Sequence, residues 1–146
     1  MPQQTTTFST NCYSCSRLGK FLKKVSSEYP AYHSRPVPSF GSIHPKLLII
    51  GLAPGLHGAN ATGRPFTGDH AGIILYKMLH KHGFSNKEDS VAVNDGLRLK
   101  KCRITNAVRC LPPNNKPVAE EVNNCNQYLA EELKNVDKKG VILCLG

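Results

Sequence analysis

The sequence predicts an α/β domain, three layers deep (α/β/α), built on a central parallel sheet. Three observations carry that reading. Short apolar runs rich in β-branched residues alternate with segments of helical periodicity, in the order strand, helix, strand, helix, strand. The 146 residues are one domain's worth of chain, enough to bury a core. A glycine-rich connection follows the first confident strand, where open parallel sheets place their ligand sites.

Taken in order, residues 1–10 are polar and are expected to be disordered or loosely attached. A Cys12-Tyr-Ser-Cys15 pair follows. Leu18, Phe21, Leu22 and Val25 then recur at helical spacing and predict a basic amphipathic helix over 17–27. Residues 28–42, with three prolines, read as an extended surface crossing. Lys46-Leu-Leu-Ile-Ile50 is the first strand. The spacing predicts a helix over 71–81 with Ile74, Leu75, Met78 and Leu79 turned inward.

Residues 83–99 read as a loop, with a short irregular strand within 89–96 that ends in an Asp-Gly turn. Cys102 to Val108 is the second strand. The proline-rich segment 111–117 is excluded from helix and from central strand. A helix over 118–136 is expected, with Val122, Cys125, Leu129 and Leu133 inward, and the apolar run 140–146 is a third parallel strand. Three parallel strands make a small sheet. The reading is a single domain over 1–146 whose fold is incomplete at its C-terminal end.

Composition narrows the partners. The formal net charge is +9, from 19 Lys plus Arg against 10 Asp plus Glu, which points to a polyanion and to nucleic acid first. No run approaches the roughly 18 apolar residues of a membrane span, and no secretory signal is visible, so no membrane association is expected and the default compartment is cytoplasmic. Six cysteines in such a chain argue against disulfides. Cys102 and Cys144 fall inside predicted strands and read as buried small hydrophobes. Cys12, Cys15, Cys110 and Cys125 come from two separated segments. They form a plausible metal site, acceptable to an iron–sulfur cluster or to tetrahedral zinc.

The stretch Gly51 to Asp69 is the most informative. Nineteen residues with five glycines join a strand to a helix, whereas connections in compact domains usually run about four to six. Glycines let backbone approach a ligand closely. A phosphate-binding P-loop is rejected, because it needs Gly-Lys-Ser/Thr opening the helix and this helix is entered through Thr67-Gly68-Asp69-His70.

Gly51-Leu-Ala-Pro-Gly55 followed by Thr62-Gly-Arg-Pro-Phe-Thr-Gly-Asp69 resembles the first motif of the iron–sulfur uracil-DNA glycosylases, their type 5 branch above all, with type 4 as a near relative. Asn106-Ala-Val-Arg-Cys110-Leu-Pro-Pro, with Cys125 beyond it, resembles their second. The resemblance implies a DNA repair enzyme with a uracil-DNA glycosylase-like fold. Such an enzyme flips uracil, or another deaminated base, out of DNA and hydrolyses its glycosidic bond. It also implies that Cys12, Cys15, Cys110 and Cys125 hold a structural [4Fe–4S] cluster, with zinc as the alternative.

The same resemblance assigns roles. Phe66 would stack on the flipped base, and Asn106 would offer donor and acceptor to O4 and N3–H of uracil. Backbone N–H groups near Gly51 and Leu52 would meet O2, where charge grows as the base departs. Arg64 is a candidate phosphate contact, and His57 and His70 are the nearest imidazoles. Many relatives carry an acid or amide early in the first motif. Leu52-Ala-Pro has none, which points to type 5 and leaves Asp69 to position water or stabilise the cationic sugar. Plainer roles stand beside these: Phe66 in the core, Asn106 at a strand end, Asp69 as a helix N-cap. The family's third motif, a histidine in a His-Pro-Ser-like stretch, has no match, so a weakened or inactive glycosylase is expected. The rival readings are a non-catalytic DNA-lesion module and a zinc-stabilised basic nucleic-acid-binding domain. A monomer is expected.

Overall fold

The computed structural model describes residues 7–145. Its order is α1 (Ser16–Glu28), β1 (Phe40–Gly41), β2 (Leu47–Gly51), α2 (Ala59–Thr62), α3 (His70–Lys81), β3 (Cys102–Asn106), a 3₁₀ turn (Pro113–Asn115), α4 (Ala119–Lys134) and β4 (Val141–Cys144). The strands form one sheet in the order β1-β3-β2-β4. The parallel core is as expected: β2 pairs in parallel with β3 on one side and β4 on the other. The wholly parallel sheet needs correction, because β1 adds an antiparallel edge, Phe40 facing Ile104. Two residues carry too little pattern to be read as a strand.

Alternation along the strands sorts the layers. Ile49, Cys102 and Ile104 pack on one face with Tyr76 and Leu79 of α3 and with Leu97. On the other face Arg103 and Ser39 reach Glu132 of α4. Leu18, Leu22 and Val25 of α1 pack there against Val108, Cys125 and Tyr128. α3 therefore covers one face while α1 and α4 cover the other, giving the three layers.

Several expectations change. α3 buries Gly72, Tyr76 and Leu79, leaving Ile74 62 % and Met78 39 % exposed. The helix is rolled because Gly72 lies against the Phe66 carbonyl and the Tyr76 hydroxyl donates to Pro65 O at 2.7 Å. α4 likewise buries Glu121, Cys125 and Tyr128, and Leu133 is exposed. Glu121 goes inward because Arg17 holds it from α1 (Nε to Oε1, 2.7 Å) while it accepts the Val118 N–H at 2.9 Å.

The segment excluded from helix makes one 3₁₀ turn. Pro113 at its first position lacks only an N–H that would be unpaired there, and Asn114 takes a left-handed φ of 56°. No strand forms within 89–96, and the turn there spans Ala92–Asp95, the Asp95 N–H donating to Ala92 O at 3.1 Å, with Gly96 following at φ +80°. Cys102 is buried as expected, but Cys144 is exposed on the edge strand β4. The expectation for residues 1–6 lies outside the described residues. Phe8, just beyond them, packs edge-on to Tyr128 with centroids 5.3 Å apart. Among the described residues no helix is long and apolar enough to cross a membrane.

Candidate functional site

The C-terminal ends of β2 and β3 stop side by side, Gly51 opposite Asn106. Two further bonds extend the pairing past the strands, from Ala107 N–H to Gly51 O and from Val108 N–H to Leu52 O, both 2.9 Å. The Asn106 carboxamide is 4 % exposed and lies directly over Gly51. The Phe66 ring meets the same spot, its edge 2.9 Å from where a Gly51 Cβ would stand. Leu52, by contrast, is 46 % exposed at the mouth. The structure thus brings Gly51, Asn106 and Phe66 together.

Phe66 is held there in an uncommon conformation, with φ 53°. A bulky residue at positive φ persists only where its surroundings impose it. Here the imposing contacts are explicit. Tyr76 and Thr67 hydroxyls donate to Pro65 O, and the Thr62 hydroxyl donates to Thr67 O at 2.9 Å. Tyr76 is almost wholly buried, and burial pushes its phenol up to about 12. Tyr76 lies outside the inner face that the sequence predicts for α3, although its four-residue spacing from Gly72 is helical.

Asp69 is the N-cap of α3, its Oδ1 accepting the Gly72 N–H at 3.1 Å. Its other oxygen faces the turn at Gly55 and Gly58, 3.6 Å from where a Gly55 Cβ would stand. Asp69 and Phe66 share the wall of an open cleft of ≈ 490 Å³ with Ile73, Lys77 and residues 88–91. Gly51 and Asn106 do not line that cleft.

Arg64 departs from the expectation of a phosphate contact. It is 4 % exposed, and its Nη1 lies 3.0 Å from both Asp95 oxygens and from Ser90 Oγ. Nη2 donates to Val93 O, and the guanidinium stacks 4.3 Å from the Phe40 ring centroid. Burial raises the Asp95 pKa, but N–H groups of Val91, Leu97 and Ala92, with Arg64, outweigh it and hold the carboxyl well below the ordinary 3.8. Arg64 and Asp95 together tie the first motif to the 88–95 loop. His57 is exposed, its Nδ1 2.8 Å from Tyr32 Oη, beside the stacked pair Tyr29 and Tyr32.

The four candidate ligand cysteines line one pocket on the opposite face, with Arg109, Asn124 and Tyr128. Among the described residues no carboxylate or imidazole lines it. Tyr128 Oη donates to Cys12 Sγ at 3.4 Å, Asn124 Nδ2 donates to Cys15 Sγ at 3.5 Å, and the Arg109 backbone N–H donates to Cys125. Donors aimed at sulfur suit thiolate ligands. Burial pushes the Cys110 thiol up to about 12 and raises Cys125. Among the described residues no group of three or more His, Cys, Asp or Glu side chains is gathered as a site for a metal ion.

The result is an α/β sheet flanked on both faces, with an aromatic ring and an amide over the ends of two of its strands. The family model described as the uracil DNA glycosylase superfamily matches residues 38–146, and the chain belongs to that superfamily. It is 43 % identical to the type-5 uracil-DNA glycosylase of Pyrobaculum aerophilum, over 90 % of this chain and 60 % of that protein. It is 44 % identical to the type-5 uracil-DNA glycosylase of Thermus thermophilus, over 94 % of this chain and 64 % of that protein. A type-4 uracil-DNA glycosylase of Archaeoglobus fulgidus is 36 % identical over 75 % of this chain and 48 % of its own length. The chain therefore spans less than two thirds of the length of these relatives.

Proposed function

We propose that this chain acts as a type-5 uracil-DNA glycosylase. It would be a monofunctional hydrolase that removes uracil, or another deaminated base, from DNA and leaves an abasic site for base excision repair. The observation that carries the reading is the meeting of Phe66 and Asn106 over Gly51. That arrangement supplies a ring face and an amide edge at one point, the two things a base outside the stack needs. Phe66 stacks on the base. The Asn106 amide accepts from N3–H and donates to O4, a pattern that cytosine presents reversed. Backbone N–H groups at Gly51 and Leu52 face O2, where charge develops as the bond breaks. Asp69, on the neighbouring turn, orients water or stabilises the cationic sugar. His57 contacts the strand from the exposed side. The basic excess of the chain suits DNA as its partner. The setting is a cytoplasmic monomer.

The cysteine pocket belongs to the same reading. Cys12, Cys15, Cys110 and Cys125 would hold a [4Fe–4S] cluster. When bound, that group ties the N-terminal segment to the end of β3 and to α4, a structural task. All-sulfur donors with N–H and O–H groups aimed at them fit it. Iron and zinc assays distinguish the cluster from zinc.

Excision from uracil-containing DNA, read as abasic sites cut by alkali, tests the function. The expected result is weak cleavage at uracil and none at thymine, reduced further by roughly a hundredfold in Asn106→Ala. Equal binding to uracil and thymine DNA with no abasic sites would overturn the glycosylase reading and leave a general DNA-binding module.

A further inference from the structure

Among the described residues, one buried charged group is left with unpartnered donors. Arg109 is 2 % exposed and immediately precedes Cys110. It lines the four-cysteine pocket. Its Nη2 lies 3.5 Å from Glu132 Oε1, whereas Nε and Nη1 have no hydrogen-bond partner among the described residues. The guanidinium rests 4.7 Å from the Phe8 ring centroid. Burying a charged group with idle donors is costly unless something answers it.

Glu132 does not answer it fully. The same carboxylate receives Nε and Nη2 of Arg103 and the Ser39 hydroxyl. Two arginines share one acid here, so one positive charge remains uncompensated beside the cysteines. A pocket of this kind is prepared for an anion, and four thiolates around iron carry net negative charge.

We propose that Arg109 is the counter-charge of the four-cysteine group, its idle N–H groups donating to thiolate or sulfide sulfur. The proposal rests on the cluster assigned above. Arg109 touches no reacting base in this scheme; it sets how readily the cluster takes up an electron and how well it survives oxygen. A nearby positive charge favours the more negative, reduced state, so removing it lowers the reduction potential. Removing the competing negative charge of Glu132 should do the opposite.

The test uses the whole chain purified without oxygen, as wild type, Arg109→Met, Arg109→Lys and Glu132→Gln. Iron content, midpoint potential in a dithionite titration, and the rate at which visible absorption fades in air are measured. Arg109→Met should fall in potential and bleach several-fold faster, Arg109→Lys should stay near wild type in potential, and Glu132→Gln should shift upward. Full iron with wild-type potential and bleaching in Arg109→Met overturns the proposal. If that variant does not fold, an unmoved potential in Glu132→Gln overturns it instead. Wild-type protein without iron fails the cluster reading itself, and the proposal falls with it.

Discussion

Gly51 and Asn106 are register partners at the C-terminal end of the β2–β3 ladder, and the Asn106 carboxamide occupies the space a side chain at 51 would need. The absence of a Cβ at Gly51 is therefore a property of the site.

Gly51→Ala should displace Asn106 Oδ1 and the Phe66 ring together, since both lie within contact of the added methyl. The fold should survive, because β2 keeps its ladder to β3 and β4. Binding to uracil DNA, read by fluorescence anisotropy, is expected to drop by tenfold or more, about 1.4 kcal/mol. Unchanged affinity would show that the Gly51 cluster does not hold the base.

Asp69 can be divided into its two tasks by two substitutions. Asp69→Ala removes the Oδ1 cap on Gly72 N–H and should cost about 1 kcal/mol of stability. Asp69→Asn keeps a capping oxygen and should melt close to wild type while losing the charge. Excision of uracil should fall in both. Full activity in Asp69→Asn with a lowered melting temperature in Asp69→Ala would reduce Asp69 to a cap.

Arg64 and Asp95 form a buried pair, with side chains 4 % and 9 % exposed. Arg64→Met leaves the carboxylate without its cation and should destabilise by about 3 kcal/mol, measured by urea unfolding. The Asp95 carboxyl is held below its ordinary 3.8, so its stabilisation is complete above that value and is lost as pH falls below it. Asp95→Asn should be less stable at neutral pH and lose less further stability on acidification below about pH 4.

Cys110→Ser should lose iron and melt earlier, because a missing ligand leaves the other three cysteines to hold the cluster. Cys144→Ser, at an exposed thiol on the edge of the sheet, should change neither. Equal iron content and melting in wild type and Cys110→Ser would sink the ligand assignment.

Much of this was legible in the chain. Lys46–Ile50, Cys102–Val108 and 140–146 carry runs of apolar and β-branched residues that a central strand requires, and the structure places β2, β3 and β4 there. The Gly-rich connection stood out as a candidate site because it is too long for a plain turn. What stayed hidden was orientation. Ile74 and Met78 satisfied helical periodicity as well as Tyr76 did, and only the Pro65 carbonyl waiting across the interface turned Tyr76 inward.

Local sequence determined where strands and helices form and which residue types could grip a base, since those depend on periodicity, on backbone freedom and on functional groups close in the chain. Tertiary structure alone decided that Arg64 serves Asp95, 31 residues away, and that Glu132 is shared by Arg103 and Arg109. Cys12, Cys15, Cys110 and Cys125, which the sequence already grouped as a metal site, line one pocket. A buried charge takes whichever partner the packed layers bring within about 3 Å, and no spacing along the chain encodes that choice.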